Sequence, residues 1–303
     1  MSTASGRVAV VTGAGRGIGA ATARALADAG MSVVLAARTR EQIERQAAEL
    51  AAQGRRAKAV VCDVTSEASV EALSREAAEL GPLDVLVNNA GAAGSMPLAG
   101  TSLEEWNRLL AVNATGAFLC TRAFLPSMLE RKWGRVVNVA STAGLGGAKY
   151  LAAYSAAKHA LVGLTRAVAA EVAGTGVTVN AVCPGFVDTD MTVETVNRIV
   201  AKTGRSREEA LSAALASAGQ TRLISAEEVA AAVVALATGT QADPPNGEAL
   251  ILDGSEAMDG RFTIVNPQEL GAPRGWNNGM LARGPGRTLF IAGQTARDGS
   301  GRV

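Results

Sequence analysis

The sequence predicts an α/β protein built on a doubly wound parallel sheet, and three features of the chain support this fold class. Short apolar runs typical of strands alternate with longer amphipathic segments typical of helices between residues 8 and 252. The strand-like runs consist mainly of Val, Leu and Ala, which suits strands buried on both faces. A glycine-rich turn at 13–19 joins the first strand to the first helix, as a tight connection requires.

Each element follows from a local pattern. The apolar runs predict strands at 8–12, 32–37, 57–62, 85–88, 135–140, 177–182 and 249–252. Amphipathic segments predict helices at 18–30, 41–53, 66–80, 102–119 with a continuation past residue 122, 154–172 and 226–237. Gly30 and Gly54 stand where the first two of these helices should stop. The stretch 189–218 is polar, helical and irregular, and it is expected to cross over the sheet as a lid above the active site.

The composition is that of an ordinary soluble protein. The 303 residues are 48% hydrophobic and 19% charged with a net charge of +1, so no global field favours nucleic acid or an anionic membrane. We see neither a signal-peptide pattern nor an apolar run of about 18 residues, so we expect a cytoplasmic protein that does not span a membrane. Cys62, Cys120 and Cys183 lie far apart, and the acidic residues show no ligand spacing, so no metal site is expected.

The composition changes after Asp259, where we place a domain boundary. Residues 260–303 are dense in Gly, Pro and Asn, and their six arginines face only two acidic residues. A segment of about 40 residues cannot easily bury a core alone. We therefore expect one main domain, 1–259, followed by an incomplete appendage, 260–303, that is poorly ordered or weakly docked.

The glycines of the first turn predict a phosphate-binding loop. Gly13, Gly17 and Gly19 let the backbone approach a pyrophosphate, and the following helix offers free N–H groups and the positive end of its dipole. The turn lies where a dinucleotide-binding sheet requires it. Its spacing is G-x-x-x-G-x-G rather than the G-x-G-x-x-G of many dinucleotide sites.

This spacing and further motifs resemble the short-chain dehydrogenase/reductase (SDR) superfamily over residues 6–258. The matching motifs are Asn88-Asn89-Ala90-Gly91, Asn113, Ser141, Tyr154-Ser155-Ala156-Ala157-Lys158 and Pro184-Gly185. The resemblance implies a Rossmann fold and hydride transfer between a nicotinamide cofactor and a carbonyl or alcohol carbon. It also implies a homo-oligomer, a dimer or a tetramer, formed through the helices that contain Asn113 and Tyr154 and through the last strand.

The candidate catalytic residues are Asn113, Ser141, Tyr154 and Lys158. Tyr154 and Lys158 lie four residues apart on one predicted helix, so they share a face. An ammonium beside a phenol favours the phenolate, so we expect a lowered pKa for Tyr154 and a role in proton transfer. The resemblance makes Ser141 the substrate-orienting serine and Asn113 the organiser of a water relay to Lys158. A buried asparagine that only bonds to backbone is the alternative for Asn113, and the lone His159 is interpreted as structural.

Cofactor choice is indicated at the end of the second predicted strand. An NAD site usually carries Asp or Glu there, but this chain has Ala37 and Arg38, and Arg16 lies in the glycine-rich turn. Two arginines and no acid suit a 2′-phosphate, so NADP(H) is predicted over NAD(H). The resemblance places Asp63 at the adenine and Thr189 at the nicotinamide amide. The predicted cofactor-binding set is Gly13, Arg16, Gly17, Ile18, Gly19, Arg38, Asp63, Val64, Asn89, Ala90, Gly91, Tyr154, Lys158, Pro184, Gly185, Val187 and Thr189.

Three hypotheses about function stay open. Residues 138–144 and 180–187 resemble acyl-carrier-protein and aromatic-polyketide ketoreductases, which implies reduction of a 3-oxoacyl thioester by NADPH. The predicted lid agrees, because it has apolar residues at near-helical spacing and the cations Lys202, Arg205 and Arg207, which suit a phosphopantetheine or CoA phosphate. The alternatives are a 3-hydroxyacyl or other secondary-alcohol dehydrogenase that works oxidatively, and an inactive SDR scaffold whose tail recruits a partner.

The tail has a resemblance of its own. Residues 262–303 resemble the start of the reactive-intermediate deaminase (Rid) proteins, and no site residue of that family is carried over. The matching pieces are Val265-Asn266-Pro267, Pro273-Arg274-Gly275, Asn278-Gly279 and Leu289-Phe290-Ile291-Ala292-Gly293-Gln294-Thr295. We expect a hairpin and loops in this truncated segment.

Overall fold

The computed structural model describes residues 6–239, 244–254, 262–265, 279–284 and 286–291. The chain divides into two compact units, Met1–Gly254 and Ser255–Val303. The first unit contains a parallel sheet with its helices, and the second contains three short strands. The domain boundary that the sequence predicts at 259–260 stays a prediction.

Seven strands form the sheet of the first unit. They are β1 Val8–Thr12, β2 Ser32–Ala37, β3 Ala57–Val61, β4 Leu83–Asn88, β5 Gly134–Val139, β6 Val177–Pro184 and β7 Ala249–Leu252. All pairings are parallel in the order β3-β2-β1-β4-β5-β6-β7, which confirms the predicted fold class. The winding reverses between β1 and β4, and such a reversal opens a crevice at the carboxyl ends of the strands.

Helices cover both faces of this sheet. They are α1 Gly17–Asp28, α2 Arg40–Ala52, α3 Glu67–Ala78, α4 Leu103–Leu110, α5 Gly116–Glu130, α6 Ala152–Glu171, α7 Asp190–Thr203, α8 Arg207–Ser217 and α9 Ala226–Thr238. The long helix predicted from residue 102 is divided, because a π-helical turn at Ala111–Thr115 separates α4 from α5.

The lid is helical, as predicted, because α7 and α8 occupy most of it. Helix α7 ends at Gly204, which has a φ of +69° in the left-handed region that glycine favours. Helix α8 begins with a capping box, in which the side chains of Ser206 and Glu209 each bond to the backbone N–H of the other. The chain therefore turns sharply between the two helices.

The two largest apolar clusters of the described residues, one on each face, hold the sheet between its helices. One cluster includes Leu26 of α1 and Val233 of α9, and the other includes Leu73 of α3 and Met128 of α5. Complete burial of a side chain of this size stabilises the fold by about 1.5–3 kcal/mol. Alternate residues of each central strand point into opposite clusters, so both faces of the strands that end at the crevice are packed.

In the part of the chain that the structure describes, one helical stretch, Leu103–Glu130, is long and apolar enough to cross a membrane by length and composition alone. Of its most apolar window, 44% is buried inside the protein, and its residues Phe124 and Met128 belong to the core. Core helices meet the same criterion, so this stretch is weak evidence for a membrane span.

The second unit contains the strands β8 Phe262–Val265, β9 Gly279–Gly284 and β10 Gly286–Ile291. They form an antiparallel sheet in the order β10-β9-β8, in which β9 and β10 form a hairpin of the kind expected for the tail. The other residues on which the predicted resemblance to Rid proteins depends, including 266–267, 273–275 and 292–295, lie outside the described residues.

Candidate active site

A cavity of about 1450 Å³ lies over the carboxyl ends of the strands of the first unit. The loops that follow β1, β2, β4, β5 and β6 line it, together with residues of α7 and α8. Every residue that the sequence predicts for catalysis or cofactor binding contributes to this lining. The structure thus brings together positions as distant in the chain as Gly13 and Thr189.

The glycine-rich turn forms a cradle in which side chains have no room. A Cβ added to Gly13 would lie 2.9 Å from the Cα of Ala90, and one added to Gly19 would collide with the carbonyl oxygen of Gly13. Gly13 and Gly17 have φ values of +66° and +54°, a conformation that glycine adopts without strain. The backbone therefore lies open to a bound group directly before the N-terminus of α1.

Asn89 joins this cradle to the end of β4. Its side-chain amide donates to the carbonyl oxygens of Thr12 at 2.9 Å and of Gly13 at 3.2 Å. The hydroxyl of Thr12 accepts from the backbone N–H groups of Asn89 and Ala90 at 3.0 and 3.1 Å. These bonds fix the two loops on either side of the switch point relative to each other.

The end of β2 carries positive charge. Ala37, Arg38 and Thr39 line the cavity there and include no acid. Arg16 pairs with Asp190 at the start of α7, with 2.9 Å between Nη1 and Oδ2, and both side chains are mostly exposed. An exposed pair of this kind contributes little to stability, so Arg16 can exchange its partner at small cost.

Asp63 is held as a carboxylate at the end of β3. The backbone N–H of Thr65 lowers the pKa of Asp63, and the Thr65 hydroxyl and the charge of Arg38 act in the same direction, against partial burial. The oxygen Oδ1 accepts from the backbone N–H and the hydroxyl of Thr65 at 2.9 and 2.7 Å. These bonds orient the carboxylate on the cavity wall.

Ser141, Tyr154 and Lys158 meet on the other side of the switch point. The Lys158 ammonium donates to the carbonyl oxygen of Val139 at 2.9 Å and lies 5.8 Å from the centre of the Tyr154 ring. Burial lowers the pKa of Lys158 to about 8. Burial also raises the pKa of Tyr154 above its ordinary value, and a hydrogen bond with Ser141 opposes this rise.

The direction of the Tyr154 shift is opposite to the one expected from the Tyr-x-x-x-Lys spacing. That expectation considered only the attraction between an ammonium and a phenolate. Both groups are withdrawn from water here, which disfavours the phenolate of Tyr154 and the ammonium of Lys158 alike. Desolvation therefore exceeds the pairwise attraction, and Tyr154 is a neutral phenol at neutral pH.

Asn113 lies in the π-helical turn and is only 1% exposed. Its amide nitrogen donates to the carbonyl oxygens of Ala92 and Leu109, both at 2.9 Å, and its amide oxygen accepts from the N–H of Ala92 at 3.2 Å. The side chain thus ties the loop after β4 to the helix, as in the backbone-bonded alternative. Its part in a water relay stays a prediction.

Gln220, in the loop after α8, is a residue that no sequence motif indicates. It is 6% exposed, and its Oε1 accepts from the N–H of Phe186 at 2.6 Å. Its amide nitrogen donates to the carbonyl oxygens of Phe186 and Arg222, each at 3.3 Å. A Cβ on Gly185 would collide with this amide, so Gln220 clamps the Pro184–Val187 turn that forms the cavity floor.

The lid presents a different set of cations from the predicted one. Arg198 and Lys202 of α7 line the cavity, and Lys149 faces it from the loop before α6. Arg205 and Arg207 do not line it, because the turn at Gly204 carries them past the end of α7. Met191 and Ile199 provide apolar lining, whereas Val196 is buried against the core of the unit.

Within the described residues, no group of three or more His, Cys, Asp or Glu side chains could hold a metal ion. The fold and the cavity define an α/β oxidoreductase with a glycine-rich cradle beside a Ser-Tyr-Lys cluster. Residues 7–199 match the short chain dehydrogenase family, and the chain belongs to that family.

Several known proteins are similar to this chain. A 3-oxoacyl-[acyl-carrier-protein] reductase from Synechocystis sp. strain PCC 6803 is 45% identical over 194 residues, which are 63% of this chain and 78% of the relative. Meso-2,3-butanediol dehydrogenase from Serratia marcescens is 45% identical over 187 residues, which are 61% of this chain and 73% of the relative. The crystal structure of a point variant of actinorhodin polyketide ketoreductase with NADPH has a TM-score of 0.78 at 41% identity, and covers 84% of this chain and 98% of that one.

Proposed function

We propose that this chain is an NADPH-dependent reductase that converts a 3-oxoacyl thioester, on an acyl carrier protein or on CoA, into the 3-hydroxyacyl form. The observation that carries the proposal is the single cavity that joins the glycine cradle to Ser141, Tyr154 and Lys158. Similarity to a 3-oxoacyl reductase and to a ketoreductase structure with NADPH supports it.

The residues that line the cavity fit a phosphorylated dinucleotide. The cradle at Gly13 and Gly19 excludes side chains but leaves backbone N–H groups for a pyrophosphate. Arg16 and Arg38 suit a 2′-phosphate, and Asp63 with Val64 would border the adenine. Gly17, Ile18, Asn89, Ala90, Gly91, Pro184, Gly185, Val187 and Thr189 would complete the site. Bound there, NADPH supplies the hydride.

The chain's own residues position the substrate oxygen and supply the proton. Ser141 acts on the pKa of Tyr154, so the two hydroxyls lie close enough to converge on one carbonyl oxygen. Tyr154 is protonated at neutral pH and can donate to the developing alkoxide. Lys158, charged below about pH 8, stabilises the phenolate that this leaves. A protonated donor favours the reductive direction over the oxidative one.

The charge of the part of the cavity where the substrate would lie indicates that the substrate carries a negative group. Lys149, Arg198 and Lys202 line the cavity beyond the Tyr154 cluster, while the acidic residues of the lining are Asp63 and Asp190. Asp190 is engaged by Arg16 and Asp63 by Thr65. Three cations beside Met191 and Ile199 suit an apolar acyl group attached to a phosphate-bearing carrier.

The deciding experiment is a panel of 3-oxoacyl-CoA esters and small neutral ketones assayed with NADPH. We expect reduction of acetoacetyl-CoA or a longer ester. Charge reversal at Arg198 and Lys202 should raise KM for the CoA ester about tenfold and leave KM for the ketone unchanged. Reversal at Arg205 and Arg207 is the matched control and should change neither value. Activity on non-thioester ketones alone would contradict the substrate assignment.

The second candidate is a secondary-alcohol dehydrogenase that works oxidatively, which similarity to meso-2,3-butanediol dehydrogenase favours. A higher kcat/KM for a diol or 3-hydroxyacyl ester with NADP⁺ than for the matching ketone with NADPH, at neutral pH, would select it. The inactive-scaffold hypothesis predicts no oxidation of NADPH with any substrate of the panel.

We further propose that the chain acts in the cytoplasm as a homo-oligomer, a dimer or a tetramer. Support comes from apolar side chains left exposed on two surfaces of the first unit. Leu103 of α4 and Phe118 of α5 are 74% and 42% exposed, and Ile251 of β7 is 53% exposed. Light scattering on the purified protein measures the assembly directly.

A further inference from the structure

Tyr150 has a backbone conformation that is rare for a residue with a side chain. Its φ is +67°, in the left-handed region where a Cβ crowds the following carbonyl oxygen. Among the described residues, the other non-glycine residue with a positive φ is Lys132, at +53°. Lys132 lies just past Arg131, the residue that caps the C-terminus of α5, where left-handed backbone commonly closes a helix. No helix end accounts for Tyr150, which precedes α6.

Backbone hydrogen bonds hold the strained conformation in place. The carbonyl oxygen of Tyr150 accepts from the N–H of Met96 at 2.8 Å, which joins the loop after β5 to the loop after β4. Gly146 and Gly147 lie four and three residues before Tyr150, in open space and without positive φ. The position in this loop whose φ favours glycine is therefore occupied by a tyrosine, while the two glycines stand at positions whose φ any residue can adopt.

Folding buries little of the Tyr150 ring, so burial does not offset the backbone strain. Its side chain is 60% exposed, so the ring is not part of the apolar core. It does line the cavity, as do its chain neighbour Lys149 and the lid residue Met191. Strain that is kept without compensating burial is typical of positions that serve a ligand.

We propose that Tyr150 determines substrate size by forming the outer wall of the substrate channel. Its ring packs against the apolar chain that extends from the reacting carbonyl at Tyr154 towards the cavity mouth, where an aromatic side chain provides a large rigid contact area. This inference rests on the reductase function proposed above, and it does not depend on the thioester group.

The test uses a series of methyl ketones of increasing chain length with NADPH, and the variants Tyr150→Gly and Tyr150→Phe. In the wild type, KM should fall as the ketone lengthens. In Tyr150→Gly, KM for the longest ketone should be about tenfold higher than in the wild type, while KM for the shortest and kcat are unchanged. Tyr150→Phe keeps the aromatic ring, so KM should depend on chain length as it does in the wild type.

Relief of the strain provides a second, independent readout. Tyr150→Gly should raise Tm by about 2–4 °C, because glycine adopts this φ without the steric penalty. Lys132→Gly is the matched control, since it relieves the same kind of strain outside the cavity lining. It should also raise Tm and should leave every KM unchanged.

Specific results would overturn the proposal. They are a KM that does not depend on chain length in the wild type, a Tyr150→Gly variant that shifts all KM values equally, or one that lowers Tm. If the wild type reduces the ketones but no thioester, the substrate assignment fails while the role of Tyr150 stands. Calorimetric binding of the same ketones to the NADPH complex gives the same comparison without turnover.

Discussion

Burial acts on Tyr154 and Lys158 in a way that suits a proton donor. A neutral phenol holds the proton that a developing alkoxide requires, and the raised pKa of Tyr154 keeps it bound at neutral pH. Burial lowers the pKa of Lys158 only to about 8, so most of the ammonium is still charged under the same conditions. Tyr154 therefore already holds the proton that it donates, and Lys158 is already charged, before a substrate binds.

Tyr154→Phe removes the proton and little else. We expect kcat to fall by about 10²–10⁴, the usual contribution of a positioned acid–base group, because the ring remains but has no proton to give. Fluorescence titration with NADPH should give a Kd close to that of the wild type. Near-wild-type turnover in this variant would remove Tyr154 from the mechanism.

Arg38 decides, in our interpretation, between the two nicotinamide cofactors. The wild type should prefer NADPH to NADH, because Arg38 and Arg16 suit a phosphate and no acid is present at the end of β2. Replacing Ala37 with Asp and Arg38 with Gln should reverse the preference in kcat/KM. Replacement of Arg55, a surface arginine paired with Asp28, is the control and should change neither value. A wild type that already prefers NADH would contradict this reading.

At the scale of elements, the turn after β6 depends on a loop more than 30 residues later in the chain. Gly185 is pressed against the amide of Gln220, and the N–H of Ile224 donates to the carbonyl oxygen of Phe186 at 3.0 Å. The position of the cavity floor is thereby coupled to the loop that connects the lid to α9.

Gly185→Ala should therefore weaken cofactor binding. The added methyl group must displace Gln220 and with it the turn, so we expect the Kd for NADPH to rise about tenfold or more. Gly146→Ala is the matched control, since a Cβ there meets no atom within 4 Å although Gly146 also lines the cavity. An unchanged Kd in Gly185→Ala would show that the clamp does not position the floor.

The sequence predicts those parts of the fold and site whose signals lie within a few consecutive residues. The alternation of strands and helices, the glycine-rich turn and the Tyr-x-x-x-Lys helix are of this kind. Gln220 is different, because its partners are backbone groups of a distant turn and no local pattern marks them. Of the predicted lid cations, Lys202 lines the cavity but Arg205 and Arg207 do not. Whether Arg198 or Arg205 faces the cavity depends on how the chain turns at Gly204, which no local pattern shows.

At the scale of the whole molecule, the first unit contains every residue of the candidate site. Deletion of residues 261–303 should leave NADPH-dependent reduction and Tm almost unchanged, because every residue of the candidate site lies before this segment. Activity and thermal unfolding of the shortened chain against the full chain measure this. Loss of soluble protein on deletion would show that the tail belongs to the fold, and its similarity to Rid proteins stays a prediction.

The ribosome synthesises helix α1 early, but α1 packs against α9, whose residues are synthesised much later. Leu26 and Ala23 of α1 share one apolar cluster with Val229 and Val233 of α9. About 200 residues separate the two helices, so at about 5–20 residues per second the ribosome needs roughly 10–40 s to supply the partner. During that interval the nascent half-sheet exposes an uncovered apolar face, and a chain stalled before residue 226 would need a chaperone to avoid aggregation.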